Sequence, residues 1–154
     1  MRNKSPEVVI YTDGGCAPNP GVGGWAAILR YGDKEKTLSG GAAETTNNRM
    51  ELTAAVNALS ALTRRCNVRL FTDSQYLRQG VTEWLPAWKR RGWKRGQGEL
   101  KNLDLWKRLD ALSQKHSIQW RWVQGHSGDP ANDRCHNLVR QAIQAQRCGH
   151  SDGC

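Results

Sequence analysis

The sequence predicts an α/β domain in which a five-stranded mixed β-sheet is flanked by α-helices. Two observations favour this fold class. Five short segments are apolar or alternate between apolar and polar residues, whereas other segments repeat apolar residues at helical spacing. The order is three strands, a helix, a strand, two helices, a strand and a helix. Hairpins therefore make the first strands antiparallel, and helical crossovers make the later ones parallel.

The strands are predicted at residues 8–12, 25–31, 35–40, 68–72 and 118–123. The glycine-rich segment 21–24 predicts a tight turn before the second strand. The Gly-Asp-Lys sequence at 32–34 is typical of a hairpin between the second and third strands. The fourth strand is expected to be buried, and the fifth alternates around two tryptophans.

Helical periodicity is clearest at residues 48–62, where one apolar stripe consists of Leu52, Ala55, Val56, Leu59 and Leu62. Asn48 and Glu51 are three residues apart and resemble a capping box at the start of this helix. Ser74 is suited to cap a short helix. Further helices are predicted at 102–115 and from Pro130, which stands at the tolerated first position. The last helix carries a stripe formed by Cys135, Leu138, Val139 and Ala142.

The chain of 154 residues fits a single domain, which we expect at 1–146, with a basic segment at about 81–101 and a flexible tail at 147–154. Its formal net charge of +9 favours polyanionic partners, nucleic acid above an anionic membrane surface. The N-terminus lacks the apolar core of a signal peptide, and no apolar run is long enough to span a bilayer. We therefore expect a cytoplasmic protein.

Three acidic residues stand where they could share a metal ion. Asp13 follows the first predicted strand, Asp73 follows the fourth, and Glu51 lies near the start of the helix between them. Ligands of open α/β sheets sit at the carboxyl ends of strands, and two carboxylates there repel each other unless a proton or cation intervenes. An aspartate can also simply end a strand, and a glutamate can cap a helix. Taken together, the three acids favour a divalent-metal site.

Oxygen ligands of this kind suit Mg²⁺ or Mn²⁺, which also bind substrate phosphate. Two such ions can split a phosphodiester, because one activates the attacking water and the other stabilises the leaving oxygen. Basic surroundings point to the same substrate chemistry. The sequence therefore predicts a metal-dependent enzyme that acts on a phosphodiester.

Residues 88–95 interleave basic side chains with tryptophans. Cations bind backbone phosphates without reading sequence, and indoles can pack on sugars and bases. A basic helix can also bind a membrane, but the apolar face here is thin. The residues expected to bind nucleic acid are Trp84, Trp88, Lys89, Arg90, Arg91, Trp93 and Lys94. The tryptophans can instead be structural.

Four short motifs occur in order along the chain: Thr12-Asp13-Gly14-Gly15, Thr45-Thr46-Asn47-Asn48-Arg49-Met50-Glu51-Leu52, Thr72-Asp73-Ser74-Gln75-Tyr76 and Gly125-His126-Ser127-Gly128. With the basic segment between Trp84 and Trp106, they resemble ribonuclease HI of the bacterial type. The resemblance covers about residues 8–145. It implies a ribonuclease H-like fold and endonucleolytic cleavage of the RNA strand of an RNA–DNA hybrid, leaving 3′-hydroxyl and 5′-phosphate ends.

The resemblance also implies roles for single residues. Asp13, Glu51 and Asp73 match three of the family's four carboxylates. His126 matches a loop histidine that helps the leaving group depart or the product dissociate, although it can also be an inert surface residue. The residues that match the family's hybrid contacts are Asn19, Asn47, Asn48 and Gln75 in the minor groove, and Thr46 and Asn102 at a DNA phosphate. Uncharged groups in that groove can distinguish RNA by its 2′-hydroxyls.

One position departs from the family pattern, because His136 stands where the fourth carboxylate would be. An imidazole can ligate a metal through one neutral nitrogen, but it adds no negative charge and suits Mg²⁺ poorly. Our hypothesis is that His136 is a metal ligand that weakens metal affinity and shifts preference toward Mn²⁺. The alternative is that His136 merely packs beside Arg140 and three carboxylates suffice.

Two other functions remain open from the sequence. The first is a hybrid-binding protein whose catalysis is weakened through His136, although binding alone needs none of the retained acids. The second is a transposase- or integrase-like nuclease, which the uncharged asparagine and glutamine set disfavours. We expect a monomer with an RNA–DNA hybrid as its partner and with no protein partner.

Overall fold

Five strands form one mixed sheet in the order β3-β2-β1-β4-β5. The structure, a computed structural model, describes residues 6–93, 102–123 and 130–149. The strands are β1 (Glu7–Cys16), β2 (Gly21–Tyr31), β3 (Lys34–Thr45), β4 (Asn67–Thr72) and β5 (Ser117–Trp122). The pairings β1–β2 and β2–β3 are antiparallel, whereas β1–β4 and β4–β5 are parallel. The predicted fold class and pairing directions are confirmed.

The helices are α1 (Asn47–Ser60), α2 (Gln75–Gln79), α3 (Leu85–Arg90), α4 (Leu103–Lys115) and α5 (Pro130–Gly149). A π-helical turn, Gly80–Trp84, joins α2 to α3. The tail was expected from residue 147, but α5 continues to Gly149, so the first three residues of that segment are helical. Residues 150–154 lie outside the described part of the chain. None of the described helices is both long enough and apolar enough to cross a membrane.

The sheet carries apolar side chains on both faces. On one face, α1, α4 and the α2–α3 segment enclose the larger cluster, in which the Trp106 indole is fully buried. On the other face, α5 packs through Ala131, Cys135 and Val139 against β1 and β2. The predicted α1 stripe is buried except at Leu62, which is half-buried. The layers fix α1 and α5 on opposite sides of β1.

The glycines of segment 21–24 belong to β2, so the tight turn predicted there is wrong. Gly24 pairs with Gly15 on β1 and with Gly41 on β3. A Cβ added at Gly24 would overlap the Val139 carbonyl and the Ala142 side chain of α5. Glycine is needed here because α5 lies too close to β2 to leave room for a side chain.

Helix α1 is capped by Thr46 rather than by Asn48. The Thr46 Oγ1 accepts a hydrogen bond from the Arg49 N–H at 3.2 Å. Glu51 therefore lies five residues beyond the cap, and a capping box would need it at three. The structure therefore excludes Glu51 as the capping-box residue of α1. The predicted cap at Ser74 is confirmed, since its Oγ accepts from the Leu77 N–H at 3.0 Å.

Buried His116 makes the stability of the fold depend on pH. Its Nδ1 accepts the Cys66 N–H at 3.0 Å, which requires that nitrogen to be deprotonated. Burial, and then Lys115 and Arg65, lower the pKa of His116 below its ordinary 6.5. A histidine with a lowered folded-state pKa contributes stability that is present above its unfolded-state pKa and is lost as the pH falls below it.

We predict that the free energy of unfolding declines between about pH 7 and pH 5, and that His116→Asn flattens this decline. An asparagine Oδ1 can accept the same N–H without titrating. Urea unfolding of both proteins across this range measures the effect. Equal pH slopes for the two proteins would contradict the assignment.

Candidate active site

Three carboxylates converge where β1, β4 and α1 meet. Asp13 lies on β1, Asp73 follows β4, and Glu51 lies in α1. One carboxylate oxygen of each lies within 4.8 Å of the other two, and no other acidic, histidine or cysteine cluster of this kind occurs among the described residues. The parallel pairing of β1 with β4 ends at Tyr11 and Phe71, so Asp13 and Asp73 lie at the same level just beyond this pairing.

The sequence placed Asp13 beyond the end of its strand, and this is wrong. β1 continues to Cys16 because its antiparallel pairing with β2 extends as far as Gly23. Asp13 itself pairs with Ala26. It nevertheless lies past the last β1 residue that pairs with β4, which is why it can face Asp73 across the end of that strand.

A close helix approach brings Glu51 to the aspartates. A Cβ added at Gly14 would overlap the backbone of Met50 and Glu51 in α1. Only glycine leaves room for a helix backbone at this distance from a strand. Gly14 therefore sets the distance between the Glu51 and Asp13 side chains.

The electrostatics of the cluster are unfavourable without a cation. Burial, and then the charges of Asp13 and Asp73, raise the pKa of Glu51 well above its usual range. Burial and Asp73 also raise the pKa of Asp13, although hydrogen bonds from His136 and the Gly14 N–H oppose the shift. Within the described residues, hydrogen bonds reach only Asp13 of the three acids. Carboxylates whose charges are offset by so few hydrogen bonds are suited to bind a divalent ion such as Mg²⁺ or Mn²⁺.

His136, on α5, reaches this cluster through Asp13. Its Nδ1 lies 3.2 Å from Asp13 Oδ2, and its side chain is 55% exposed. The other oxygen, Asp13 Oδ1, accepts the Gly14 N–H at 3.0 Å. The converging set consists of the three carboxylates alone. The structure therefore brings His136 to Asp13 without making it a member of the cluster.

The carboxylates line an open cleft of about 350 Å³ between the start of α1 and the first turns of α5. Asn47 lines it on the α1 side. Asn132, Asp133, His136 and Arg140 line it on the α5 side. Its walls combine these polar side chains with the apolar Val139 and Ile143 of α5.

Three of the residues predicted to contact the hybrid, Asn19, Thr46 and Asn47, meet at the N-terminus of α1. The Asn47 N–H donates to Asn19 Oδ1 at 3.1 Å, which ties the loop after β1 to the helix. Thr46 precedes these helical residues, and Asn48 is exposed in the first turn. Gln75, also exposed, begins α2 two residues after Asp73. The structure thus brings Asn19, Thr46 and Asn47 together. Asn48 and Gln75 are exposed and so are accessible to a ligand.

The three tryptophans of the basic segment pack into a ring cluster. Trp84 and Trp88 contact buried Trp106, with ring centroids 6.3 and 5.9 Å from it. Trp93 packs on Trp88 at 6.4 Å. All three are half-buried, which favours the structural alternative. Their contacts with nucleic acid stay a prediction.

The cations of that segment differ in their availability. Lys89 forms an ion pair with Asp110 at 3.1 Å. Arg90 and Arg91 are exposed at the end of α3. Lys94 and His126 lie outside the described residues, so the predictions for both stay as they were. The exposed arginines are the described part of this surface that can contact phosphates.

Arg49 and Tyr76 lie within the motifs at 45–52 and 72–76, but no role was predicted for either from the sequence. Arg49 Nη1 donates to Asn102 Oδ1 at 3.2 Å, and Asn102 Nδ2 donates to Tyr76 Oη at 3.0 Å. The only indication in the sequence that Arg49 lies near the site is its position between Thr46 and Glu51. Its partner lies far along the chain, and sequence alone does not reveal that contact.

Comparison with known proteins identifies the class as a nuclease. The RNase H family model matches residues 5–144. Ribonuclease H of Xanthomonas campestris pv. campestris (strain 8004) is 58% identical over 143 residues, which cover 92% of this chain and 95% of that protein. Ribonuclease H of Bradyrhizobium sp. (strain ORS 278) is 56% identical over 143 residues, 92% of this chain and 93% of that protein. The chain belongs to the ribonuclease H family.

Solved structures agree with this assignment. The crystal structure of LC9-RNase H1, a type 1 RNase H with the type 2 active-site motif, has a TM-score of 0.84 and 30% identity. The match covers 95% of this chain and 76% of that one. LC11-RNase H1, solved in complex with an RNA/DNA hybrid, shares the fold with a TM-score of 0.64 and 21% identity.

We predict that Glu51→Gln stabilises the metal-free protein. A carboxyl whose folded-state pKa is raised contributes stability below its unfolded-state pKa, here 4.5, and that stability is lost as the pH rises through the folded-state value. In EDTA at neutral pH the variant should therefore melt at a higher temperature than the parent, and divalent ions should raise its melting temperature less. Thermal unfolding followed by circular dichroism checks this. Glu44→Gln, at an exposed glutamate, is the matched control; a lower melting temperature for Glu51→Gln would contradict the prediction.

Proposed function

We propose that this chain is an endoribonuclease that hydrolyses the RNA strand of RNA–DNA hybrids with the help of two divalent ions. Its products would end in 3′-hydroxyl and 5′-phosphate groups. The observation that carries the proposal is the convergence of Asp13, Glu51 and Asp73, whose oxygens lie within 4.8 Å of one another in a chain of the ribonuclease H family.

Asp13, Glu51 and Asp73 would hold Mg²⁺ or Mn²⁺. A divalent ion held by them would supply Lewis-acid chemistry, which favours attack by water on phosphorus and offsets charge on the leaving oxygen. The chain itself supplies fixed ligand positions: strand pairing holds Asp13, and the packing of α1 against Gly14 holds Glu51. Since outer partners of a metal site alone affect activity by about 10–100-fold, removal of any of these carboxylates should cost more than that.

Selection of a hybrid rests on two surfaces. Asn19, Asn47 and Asn48 offer uncharged donors and acceptors around the start of α1, which suits contact with 2′-hydroxyls. Exposed Arg90 and Arg91 offer positive charge for the backbone without reading sequence. The net charge of +9 supports the same polyanionic partner. We expect the enzyme to act as a monomer in the cytoplasm.

His136 is the unusual element of the proposed centre. Its contact with Asp13 at 3.2 Å supports a role at the metal site, either as a ligand or as the group that orients Asp13. Neither role adds the negative charge of a fourth carboxylate. We therefore propose weakened affinity for Mg²⁺ and a preference for Mn²⁺. A hybrid-binding protein with weakened catalysis is the second candidate, and the histidine at this position is what favours it.

An end-labelled RNA–DNA hybrid, incubated beside RNA–RNA and DNA–DNA duplexes, tests the proposed activity. We expect cleavage of the hybrid's RNA strand alone, dependent on Mg²⁺ or Mn²⁺ and lost in Asp73→Asn. Tight binding of the hybrid without cleavage in either metal would favour the second candidate. Cutting of the DNA duplex would instead point to a different nuclease of the same fold.

The metal preference has its own test in His136→Asp. Restoring a fourth carboxylate should raise the Mg²⁺-dependent rate by about 10-fold or more and lower the ratio of Mn²⁺ to Mg²⁺ activity. Initial rates measured against each metal concentration give both values, and His136→Asn serves as a neutral control. An unchanged ratio would mean that three carboxylates suffice. A parent enzyme at least as active in Mg²⁺ as in Mn²⁺ would also contradict the proposal.

A further inference from the structure

We propose that an uncovered face of strands β4 and β5 binds single-stranded RNA that extends from the RNA strand of the hybrid. This inference rests on the proposed function and narrows its substrate class to favour hybrids whose RNA strand continues beyond the DNA strand. The surface consists of Arg69, Phe71, Gln119 and Arg121, and we call it the β4–β5 face.

Strand register places these four side chains on one side of the sheet. Arg69 pairs with Gln119, and Phe71 pairs with Arg121. Paired residues of neighbouring strands share a face, because successive side chains of a strand point to opposite faces. Leu70, between Arg69 and Phe71, is fully buried in the larger apolar cluster on the opposite face. The β4–β5 face therefore lies on the side of the sheet that carries α5, whose apolar cluster Phe71 adjoins.

Helix α5 leaves most of this face uncovered. It packs on β1, β2 and β3, and it has no comparable packing on β4 or β5 among the described residues. Arg69, Gln119 and Arg121 are exposed, and Phe71 is half-buried. A hollow of about 440 Å³ is lined by the two arginines and Gln119, together with the first residues of β1. The described part of the chain thus leaves room for a ligand here.

The β4–β5 face continues directly from the carboxylate cluster. Asp73 follows Phe71 and Arg69 on the same side at intervals of two residues, so Arg69 lies about 13 Å from it at the rise of a strand. Tyr11, two residues before Asp13, stacks on Phe71 with ring centroids 5.0 Å apart. An RNA strand whose phosphate lies at the carboxylates can therefore reach this face after a short stretch of chain.

The polar groups of the face are mainly hydrogen-bond donors. Arg121 Nη2 donates to Gln119 Oε1 at 3.2 Å, which engages the acceptor of that amide and leaves its N–H groups as donors. Among the described residues, Arg121 has no ion pair with a carboxylate. Arg69 lies 3.7 Å from Glu7, and both side chains are more than half exposed, so this pair is weak. Phosphate oxygens, which only accept, match such a surface.

Phe71 favours nucleic acid over an acidic protein segment as the ligand. One side of its ring stacks on Tyr11 at an interplanar angle of 16°, and Arg121 lies beside it on the neighbouring strand. A half-buried ring flanked by arginines can stack on a base while the arginines bind the backbone, which is how single strands are bound without sequence preference. An acidic peptide would use the arginines but not the ring. Because the proposed reaction places the RNA strand at the carboxylates, the ligand is an extension of that strand.

The test compares a blunt hybrid with hybrids that carry a single-stranded extension of about eight nucleotides, a length typical of single-strand sites. Fluorescence anisotropy in EDTA measures binding without cleavage. For the parent protein, an RNA extension at one end should tighten binding by about 10-fold. It should also steepen the salt dependence by about 1.4, since each phosphate contacted in a single strand contributes about 0.7. An extension of the DNA strand should do neither.

Three variants assign the effect to this face. In Arg69→Gln with Arg121→Gln, the extended and blunt hybrids should bind equally well. Arg64→Gln with Arg108→Gln is the matched control, because it removes the same charge from exposed positions beyond α1 and on α4. It should keep the preference for the extension. Phe71→Leu retains both arginines, so it should weaken binding of the extended hybrid by about 5-fold or more at an unchanged salt dependence.

Photocrosslinking locates the contact independently. A 4-thiouridine in the RNA extension should crosslink to peptides that contain residues 69–71 or 119–121. Crosslinks confined to other peptides would overturn the inference. Equal tightening by RNA and DNA extensions would do the same, as would a preference that survives in the Arg69→Gln, Arg121→Gln variant.

A competition experiment distinguishes nucleic acid from other polyanions. Polyuridylate should displace the extended hybrid from the parent at lower concentration than polyglutamate of equal charge. Equal competition would identify a general anion surface and overturn the inference. A parent that cuts blunt hybrids but gains nothing from an extension would overturn this inference alone. A parent that neither binds nor cuts blunt hybrids would instead overturn the proposed function.

Discussion

Repulsion among three carboxylates is the constraint on which the rest of this structure depends. Asp13, Glu51 and Asp73 lie within 4.8 Å of one another, and Glu51 is only 8% exposed. Like charges at this separation oppose folding unless protons or a cation neutralise them. The apolar layers supply the opposing free energy: each fully buried aliphatic side chain of α1, such as Leu52 or Leu59, contributes about 1.5–3 kcal/mol. The fold therefore holds three unneutralised carboxylates together beside its interior strands β1 and β4, an arrangement that a bound cation would stabilise.

The residues proposed for chemistry and those proposed for recognition of the hybrid meet at α1. The helix carries Glu51 in its second turn, whereas its N-terminus holds the Thr46 cap and the polar residues expected to contact the hybrid. On the far side of the cleft, α5 brings His136 to Asp13. An exposed ion pair joins Arg134 of α5 to Glu35 of β3. Hydrogen bonds from Arg134 and from Arg30 of β2 lower the pKa of the Glu35 carboxyl to about 2. The three carboxylates, the residues proposed to contact the hybrid and His136 thus lie on elements that pack against one another.

The features that short stretches of sequence determine were predicted correctly. The α1 stripe, the Ser74 cap and the directions of strand pairing follow from periodicity and connection length, and the structure confirms them. Long-range packing explains the errors. The glycines at 21–24 have the composition of a turn, but their actual role is to let α5 pack closely on β2. Asp13 ends the apolar run of the first strand, but pairing with β2 extends that strand to Cys16. The Arg49–Asn102 contact joins residues that are 53 positions apart, which no local pattern encodes.

Proton release on metal binding is the most direct measure of the central claim that the three carboxylates form a cation site. Calorimetric titration of Mg²⁺ or Mn²⁺ in two buffers of different ionisation enthalpy gives the number of protons released. Because Asp13 and Glu51 have raised pKa values in the metal-free protein, ion binding at mildly acidic pH must displace protons from them. We expect proton release that grows as the pH is lowered within the folded range and that diminishes in Glu51→Gln. Metal binding without proton release, or release unchanged in that variant, would contradict it.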